Sequence, residues 1–176
     1  MPLWGIIIQG HYFIVNERIP MSDLVKIYQP PNPNLINFHK TDDSINTPSK
    51  SHPTDAGWDL PSADAVSICS GQRLIVDTGI SLETPVGYFA MITPRSGLAA
   101  KHGITIVNSP GIIDSHYRGN IKVILLNTGD SAYLINKNDR IAQLFFVAHL
   151  AGVSLNEVEK LNDTDRGEGG LGSTGK

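Results

Sequence analysis

The sequence predicts an all-β protein, a sandwich or a barrel, on three observations. Short runs of β-branched and aromatic residues recur along the chain, helical periodicity is scarce, and the breaks between runs are filled by Gly, Pro, Asn and Asp. A length of 176 residues allows one domain with a real core and an appended segment. The balance of 40% hydrophobic and 18% charged residues is that of a globular chain. A formal net charge of -3 supplies no basic face for coating nucleic acid, so an anionic ligand must be held by locally placed cations or backbone amides. Cys69 is the only cysteine, which rules out an intrachain disulfide or a Cys-paired zinc site. A reducing, cytoplasmic location fits.

The elements follow in order. The apolar run from Gly5 to Val15 is broken by Gln9, Gly10 and His11. It is too short to span a bilayer and lacks the basic start and small-residue cleavage site of a signal peptide, so no membrane segment is expected. Met21 precedes Ser22, Asp23 and a strand-like Leu24 to Ile27, which suggests that residues 1–20 lie upstream of the native start. The expected organisation is an N-terminal extension over 1–23, a β-barrel domain over 24–160 and a flexible Gly-rich arm over 161–176. "QPPNPN" at 29–34 and "DDSINTPSKSHPTDAG" at 42–57 read as irregular loops, because proline removes a donor and fixes the backbone. "QRLIVDTGISLET", "GYFAMIT", "GITIVNS", "GNIKVILLN", "AYLIN" and "RIAQLFFVAHL" each read as one strand or two. Turns are expected at Thr84-Pro85, Asn108 to Gly111 and Asn136 to Asp139. The exception is "RSGLAAKHG", where Leu98 to Lys101 favour a short helix that Gly103 ends. No internal repeat is visible.

Chemistry concentrates in a few stretches. Gly170 to Lys176 spells G-L-G-S-T-G-K and matches half of a phosphate-binding P-loop, but the helix that would aim amides at phosphate is missing. What remains is a strip of backbone amides, two hydroxyls and Arg166, which reads either as a loose terminus or as a wrap for an oligophosphate. "NSPGIIDSHYRGNIKV" places Asp114 beside a tight turn between strands, where a carboxylate serves as a turn former or as a base that deprotonates water. Arg95 and Ser96 stand at the helix entrance, where free N–H groups favour an anion and where Ser96 is equally a plain cap. "DAGWDL" and "NKNDRIAQL" add Asp55, Asp59, Asp139, Arg140 and Gln143, which in isolation are turn and rim residues.

Taken in order, "DAGWDL", "PRSGLAAKHG", "GIIDSHYRGNI", "NDRIAQL" and "RGEGGLGSTG" resemble the five ordered motifs of the trimeric dUTPases, spanning residues 55–175. The resemblance implies a distorted jelly-roll β-barrel with one short helix, assembled as a homotrimer whose active sites are shared between subunits and covered by C-terminal arms. It implies hydrolysis of dUTP to dUMP and pyrophosphate, which keeps uracil out of DNA and supplies dUMP for dTMP synthesis. Asp114 matches the general base that activates a water for attack on the α-phosphate. Asp59 matches a carboxylate close to the base and to the waters of Mg²⁺, the implied cofactor, which the triphosphate itself grips with no direct protein ligand. Asn108 assists backbone recognition of uracil. Tyr117 matches an aromatic packed under the deoxyribose that leaves no room for a 2′-hydroxyl. Ser96, Gln143, Arg166, Ser173 and Thr174 fall where the family contacts the phosphates, and Arg95 falls at phosphate or interface. Gly97, Gly111, Lys122, Leu171 and Gly172 complete the implied substrate-binding set. No nucleic-acid or membrane partner is implied.

The chain departs from the family pattern at particular residues. Leu171 replaces the arm Phe that stacks on uracil, Asn138 replaces a usual Gly, Trp58 replaces Tyr or Phe, and His116 stands where an acidic residue is frequent. An aromatic stack lost at Leu171 removes about 0.5–1.5 kcal/mol beyond area burial. Two rivals remain. A dCTP deaminase shares the Ile-Asp turn but needs a Glu on the following strand, and aligning on Asp114 and Asn127 puts Ile124 there. A regulatory protein would keep the pocket and grip a partner through residues 1–54 or the loop at 42–55.

Overall fold

Lys122–Asn127 shows how the pattern becomes structure. Val123, Leu125 and Asn127 are buried while Lys122, Ile124 and Leu126 are not, the period-two alternation of a strand with one face on a core. The computed structural model describes residues 4–8, 11–15 and 35–169. Its strands are β1 (Trp4–Ile8), β2 (His11–Val15), β3 (Asn37–Lys40), β4 (Trp58–Pro61), β5 (Val66–Ile68), β6 (Arg73–Asp77) and β7 (Ile80–Glu83). They continue with β8 (Tyr88–Thr93), β9 (Ile104–Ile106), β10 (Gly111–Ile113), β11 (Lys122–Asn127), β12 (Tyr133–Ile135) and β13 (Arg140–Ala148). One helix, α1 (Ser96–His102), interrupts them. Each strand expected from Gln72 onward forms, and the all-β expectation is borne out. No helix among the described residues is long and apolar enough to cross a membrane.

β1 and β2 pair with each other across the break at Gln9 and Gly10. The rest of the sheet order is β10-β8-β13-β4, β6-β11-β9, β12-β5 and β3-β7, with every pairing antiparallel. Their inner faces supply one core, including Leu60, Ile68, Val76, Ile80, Ile121, Leu125, Ile135, Ile141 and Leu144. Asn127 lies at 0% exposure within it. Its side chain is satisfied: Nδ2 donates to the carbonyls of Ile68 and Ser131 at 2.8 Å each, and Oδ1 accepts from the Gly129 N–H at 2.9 Å. A buried amide is tolerated on those terms and not otherwise.

β3, β4 and β5 were not evident as strands in the sequence. Each has only three or four residues, too few to display alternation, and long-range pairing makes them strands. The loop at 42–57 is irregular, as expected, apart from a bridge between Ser49 and Asp59. It is clasped to the turn before β13, where Asn138 Oδ1 accepts from the Asn46 N–H at 2.7 Å and Asn138 Nδ2 donates to the Ser44 carbonyl at 2.9 Å. Asn138 adopts φ 70, the left-handed geometry that Asn tolerates, so the replaced Gly gains two side-chain bonds without losing the turn. The Ser44 N–H, and then its hydroxyl, hold the Asp42 carboxyl below its ordinary pKa in the same clasp, with Lys137 adding to the effect.

The helix ends as its sequence predicts. Gly103 has φ 67 and its N–H caps Ala99 and Leu98 carbonyls, and a Cβ there would stand 2.6 Å from the Gly129 nitrogen. Its start differs from the cap reading of Ser96. Arg95 occupies the cap position without a side-chain cap bond, and Ser96 is the first helical residue, because extended geometry persists through Arg95 with φ -85 and ψ 125. The strand-like segment at Leu24 to Ile27 and the loop at 29–34 lie outside the described residues, as do Leu171, Gly172, Ser173 and Thr174.

Candidate active site

The first cluster is built by three strands. Gln143 on β13 stands opposite Asp59 on β4 and opposite Thr93 on β8, so one row across the sheet carries Asp59, Gln143 and Thr93. Two residues past Thr93 the chain presents Arg95 at the mouth of α1, and three before Gln143 it presents Arg140. Both guanidinium groups close on Asp59. Arg95 Nε donates to Oδ1 and Arg140 Nη1 to Oδ2, each at 2.9 Å, and Arg95 Nη1 donates to the Arg140 carbonyl at 2.8 Å. Asp59 is only 6% exposed, and this double pairing engages both of its oxygens and fixes the side chain in place. Two of its roughly four acceptor positions remain for water. Ser96 and Gly97 are exposed at the first turn of α1, and nothing lies within 4 Å of a Cβ built on Gly97. Arg140 is the functional residue the sequence underrated. Its rim reading missed that it neutralises a buried acid 81 residues away, and only the buried Asp in a strand could have hinted at a distant cation.

The second cluster is a turn. β10 leads into Asp114, whose carbonyl accepts the Tyr117 N–H at 3.1 Å, and Asp114 itself is exposed. Arg118 Nη1 donates to the carbonyls of Ser115 and Tyr117 at 2.6 and 3.0 Å, and Asn120 Nδ2 donates to Asp77 at 3.3 Å. Tyr117 is 44% exposed and its hydroxyl donates to the Asn120 carbonyl at 2.9 Å. Asn108 and Gly111 stand at the other end of β10, with Asn108 Nδ2 3.6 Å from where a Gly111 Cβ would lie. Lys122 opens β11 opposite Asp77 and is exposed. Arg166 lies in an exposed turn in which its Nε donates to the Gly169 carbonyl at 3.0 Å.

Within one chain the two clusters do not meet. Ile113 pairs with Ala90, three residues along β8 from Thr93, so Asp114 is displaced from the Asp59 row by at least about 10 Å of strand. No hydrogen bond or ion pair among the described residues joins them. Nor does any group of three or more His, Cys, Asp or Glu side chains among those residues form a cation cage. The oxygen donors present, an exposed Asp114 and a half-filled Asp59, do not converge within one chain, and they fit a hard cation only if a bound phosphate chain and water supply its direct ligands.

The structure is thus an antiparallel β fold with a carboxylate-bearing turn and a separate guanidinium–carboxylate cluster. The dUTPase family model matches residues 43–175, and the chain belongs to that family. It is 52% identical over 121 residues to a deoxyuridine 5'-triphosphate nucleotidohydrolase of Nautilia profundicola, covering 69% of this chain and 84% of the relative. A relative of the same name in Thermobifida fusca is 46% identical over 141 residues, covering 80% of this chain and 78% of the relative. Among solved structures, the Staphylococcus bacteriophage 80alpha dUTPase with dUpNHpp superposes with TM-score 0.75 at 28% identity, covering 81% of this chain and 99% of that one. A dUTPase mutant from phage phi11 of S. aureus, described for its coordination of a structural Mg(II) ion, superposes with TM-score 0.68 at 25% identity over 74% of this chain and all of the other, 100%.

Proposed function

We propose that the protein hydrolyses dUTP to dUMP and pyrophosphate, with Asp114 as the general base. The observation that carries the assignment is the exposed Asp114 carboxylate on a turn pinned by Tyr117, Arg118 and Asn120, in a chain of the dUTPase family. Such a carboxylate takes a proton from water, the oxygen attacks the α-phosphorus, and the bond to the bridging oxygen breaks to release pyrophosphate. A positioned base contributes about 10²–10⁴ in rate. Mg²⁺ held on the triphosphate oxygens would supply charge neutralisation. Asp59, whose two oxygens already hold Arg95 and Arg140, would act on such an ion only through water. Ser96, Gly97, Gln143 and Arg166 bind the phosphate chain, as do Gly172, Ser173 and Thr174 of the arm; Leu171 stands against uracil, and Arg95, bonded to Asp59 and the Arg140 carbonyl, contacts phosphate or organises the interface. Lys122 adds a local cation, and together these groups let an acidic chain hold a tetra-anion. Asn108 and Gly111 frame uracil, and Tyr117 underlies the deoxyribose.

The separation of the clusters supports a shared assembly. A homotrimer that sets the Asp114 turn of one subunit against the Asp59 row of another would complete each site. Leu150, Val153, Leu155, Val158 and Leu161, between 51% and 99% exposed in one chain, support burial against further copies. A cytoplasmic setting, where deoxynucleotides are made, fits the single exposed Cys69. Deamination of dCTP is disfavoured by Ile124, an apolar residue paired with Ile75 at the position a proton shuttle would need. Pyrophosphate release from dUTP, dCTP, dTTP and UTP, each with and without Mg²⁺, tests the proposal. The expected result is Mg²⁺-dependent release from dUTP far above the others, and ammonia release from dCTP or equal rates on all four would reject it.

A further inference from the structure

Gly119 is an oddity in the Asp114 turn. Its φ lies outside the left-handed region, so the backbone there is open to any residue and conformational freedom does not explain a glycine. What it supplies is space. A Cβ built on Gly119 would lie 2.5 Å from Tyr117 Oη, 2.7 Å from Cζ and 3.2 Å from Cε2, and these tyrosine atoms are its three nearest neighbours. The phenol ring therefore lies across the turn directly over residue 119. It is held there at its tip by the Asn120 carbonyl at 2.9 Å and at its base by the bond from its own N–H to the Asp114 carbonyl at 3.1 Å.

We infer that Gly119 is a specificity-determining positioning residue: by lacking a side chain it lets Tyr117 lie flat over the turn, and that pose fixes how closely the sugar of the nucleotide is approached. The inference rests on the reading of Tyr117 as the platform beneath the deoxyribose. A methyl at 119 meets only the far end of a half-exposed side chain, with no backbone atom among its nearest contacts. The turn is meanwhile tied by Arg118 to the Ser115 carbonyl and by Asn120 to Asp77. The ring yields before the turn does. Tilted off residue 119, it loses the Asn120 bond and no longer stands at the height that excludes a 2′-hydroxyl, so discrimination between deoxyribose and ribose falls while the base at Asp114 is left in place.

The test compares Gly119→Ala, Tyr117→Ala and the double variant with the wild type as intact assembled enzyme, reading kcat/KM on dUTP and UTP and the melting temperature. Gly119→Ala is expected to raise the UTP to dUTP ratio by roughly tenfold or more, the scale of a lost steric contact. Tyr117→Ala should do the same, and the double variant should add nothing to Tyr117→Ala alone. A shifted ratio in Tyr117→Ala with an unchanged one in Gly119→Ala overturns the inference and leaves the platform reading standing. An unchanged ratio in Tyr117→Ala brings down the platform reading and the inference with it. If Gly119→Ala fails to fold, a folded double variant upholds the clash with the ring, and an unfolded one shows that the turn itself requires glycine and rejects the proposal.

Discussion

Asp59 is a charge the fold has taken out of water, and its two arginine partners are not equivalent. The Arg95 side chain is 24% exposed and that of Arg140 52%, so water screens the second pairing more than the first. Arg95→Met leaves a buried carboxylate with its more solvated partner only and is expected to cost about 2–3 kcal/mol, whereas Arg140→Met costs about 1 kcal/mol. Thermal unfolding at one fixed protomer concentration measures both, and equal costs would show that burial does not rank these pairs. Both residues were visible in the sequence as charges beside strands. Their convergence on Asp59 was not, because the partners are 36 and 81 positions away and a single sequence carries no distance.

At the scale of elements, β11 shows the strongest agreement between pattern and structure, since six alternating residues suffice to display which face is buried. Its last inward residue is polar, and the strand depends on that residue being satisfied. Asn127→Ala orphans the carbonyls of Ile68 and Ser131 and the Gly129 N–H together, and a loss of about 2–3 kcal/mol is expected. Urea denaturation followed by circular dichroism would detect it, and a change below about 0.5 kcal/mol would mean water replaces the amide without cost. Helix α1 was legible at its end because Gly103 has a local reason to be there, and less so at its start, where Arg95 caps by backbone alone. β4 was illegible for a different reason. "WDLP" joins a half-exposed aromatic, an acid, one apolar residue and a proline, and only pairing with β13 turns that string into a strand. Asn138 likewise reads as a mere substitute for Gly until its two bonds to the loop at 44–46 are seen.

At the scale of the whole molecule, order and spacing of motifs carried more than any single residue, because each stretch alone also has an ordinary reading as turn, cap or terminus. The five motifs foretold the family, and the strand registers keep the Asp114 turn and the Asp59 row apart within one chain, which is the ground for the proposed sharing of sites between subunits. The last strand, β13, ends at Ala148, and no core residue lies beyond it among the described residues; the proposed function gives the C-terminal stretch to the site. Deleting residues 166–176 should therefore abolish turnover and leave the β signature of the far-ultraviolet circular dichroism spectrum unchanged. A truncated protein that still turns over dUTP would remove the arm from the mechanism. The most direct measurement is steady-state pyrophosphate release from dUTP by Asp114→Asn beside the wild type. Turnover should drop by about 10²–10⁴ with half-saturation at the same dUTP concentration, and an Asn variant as fast as the wild type would contradict the assignment of the base.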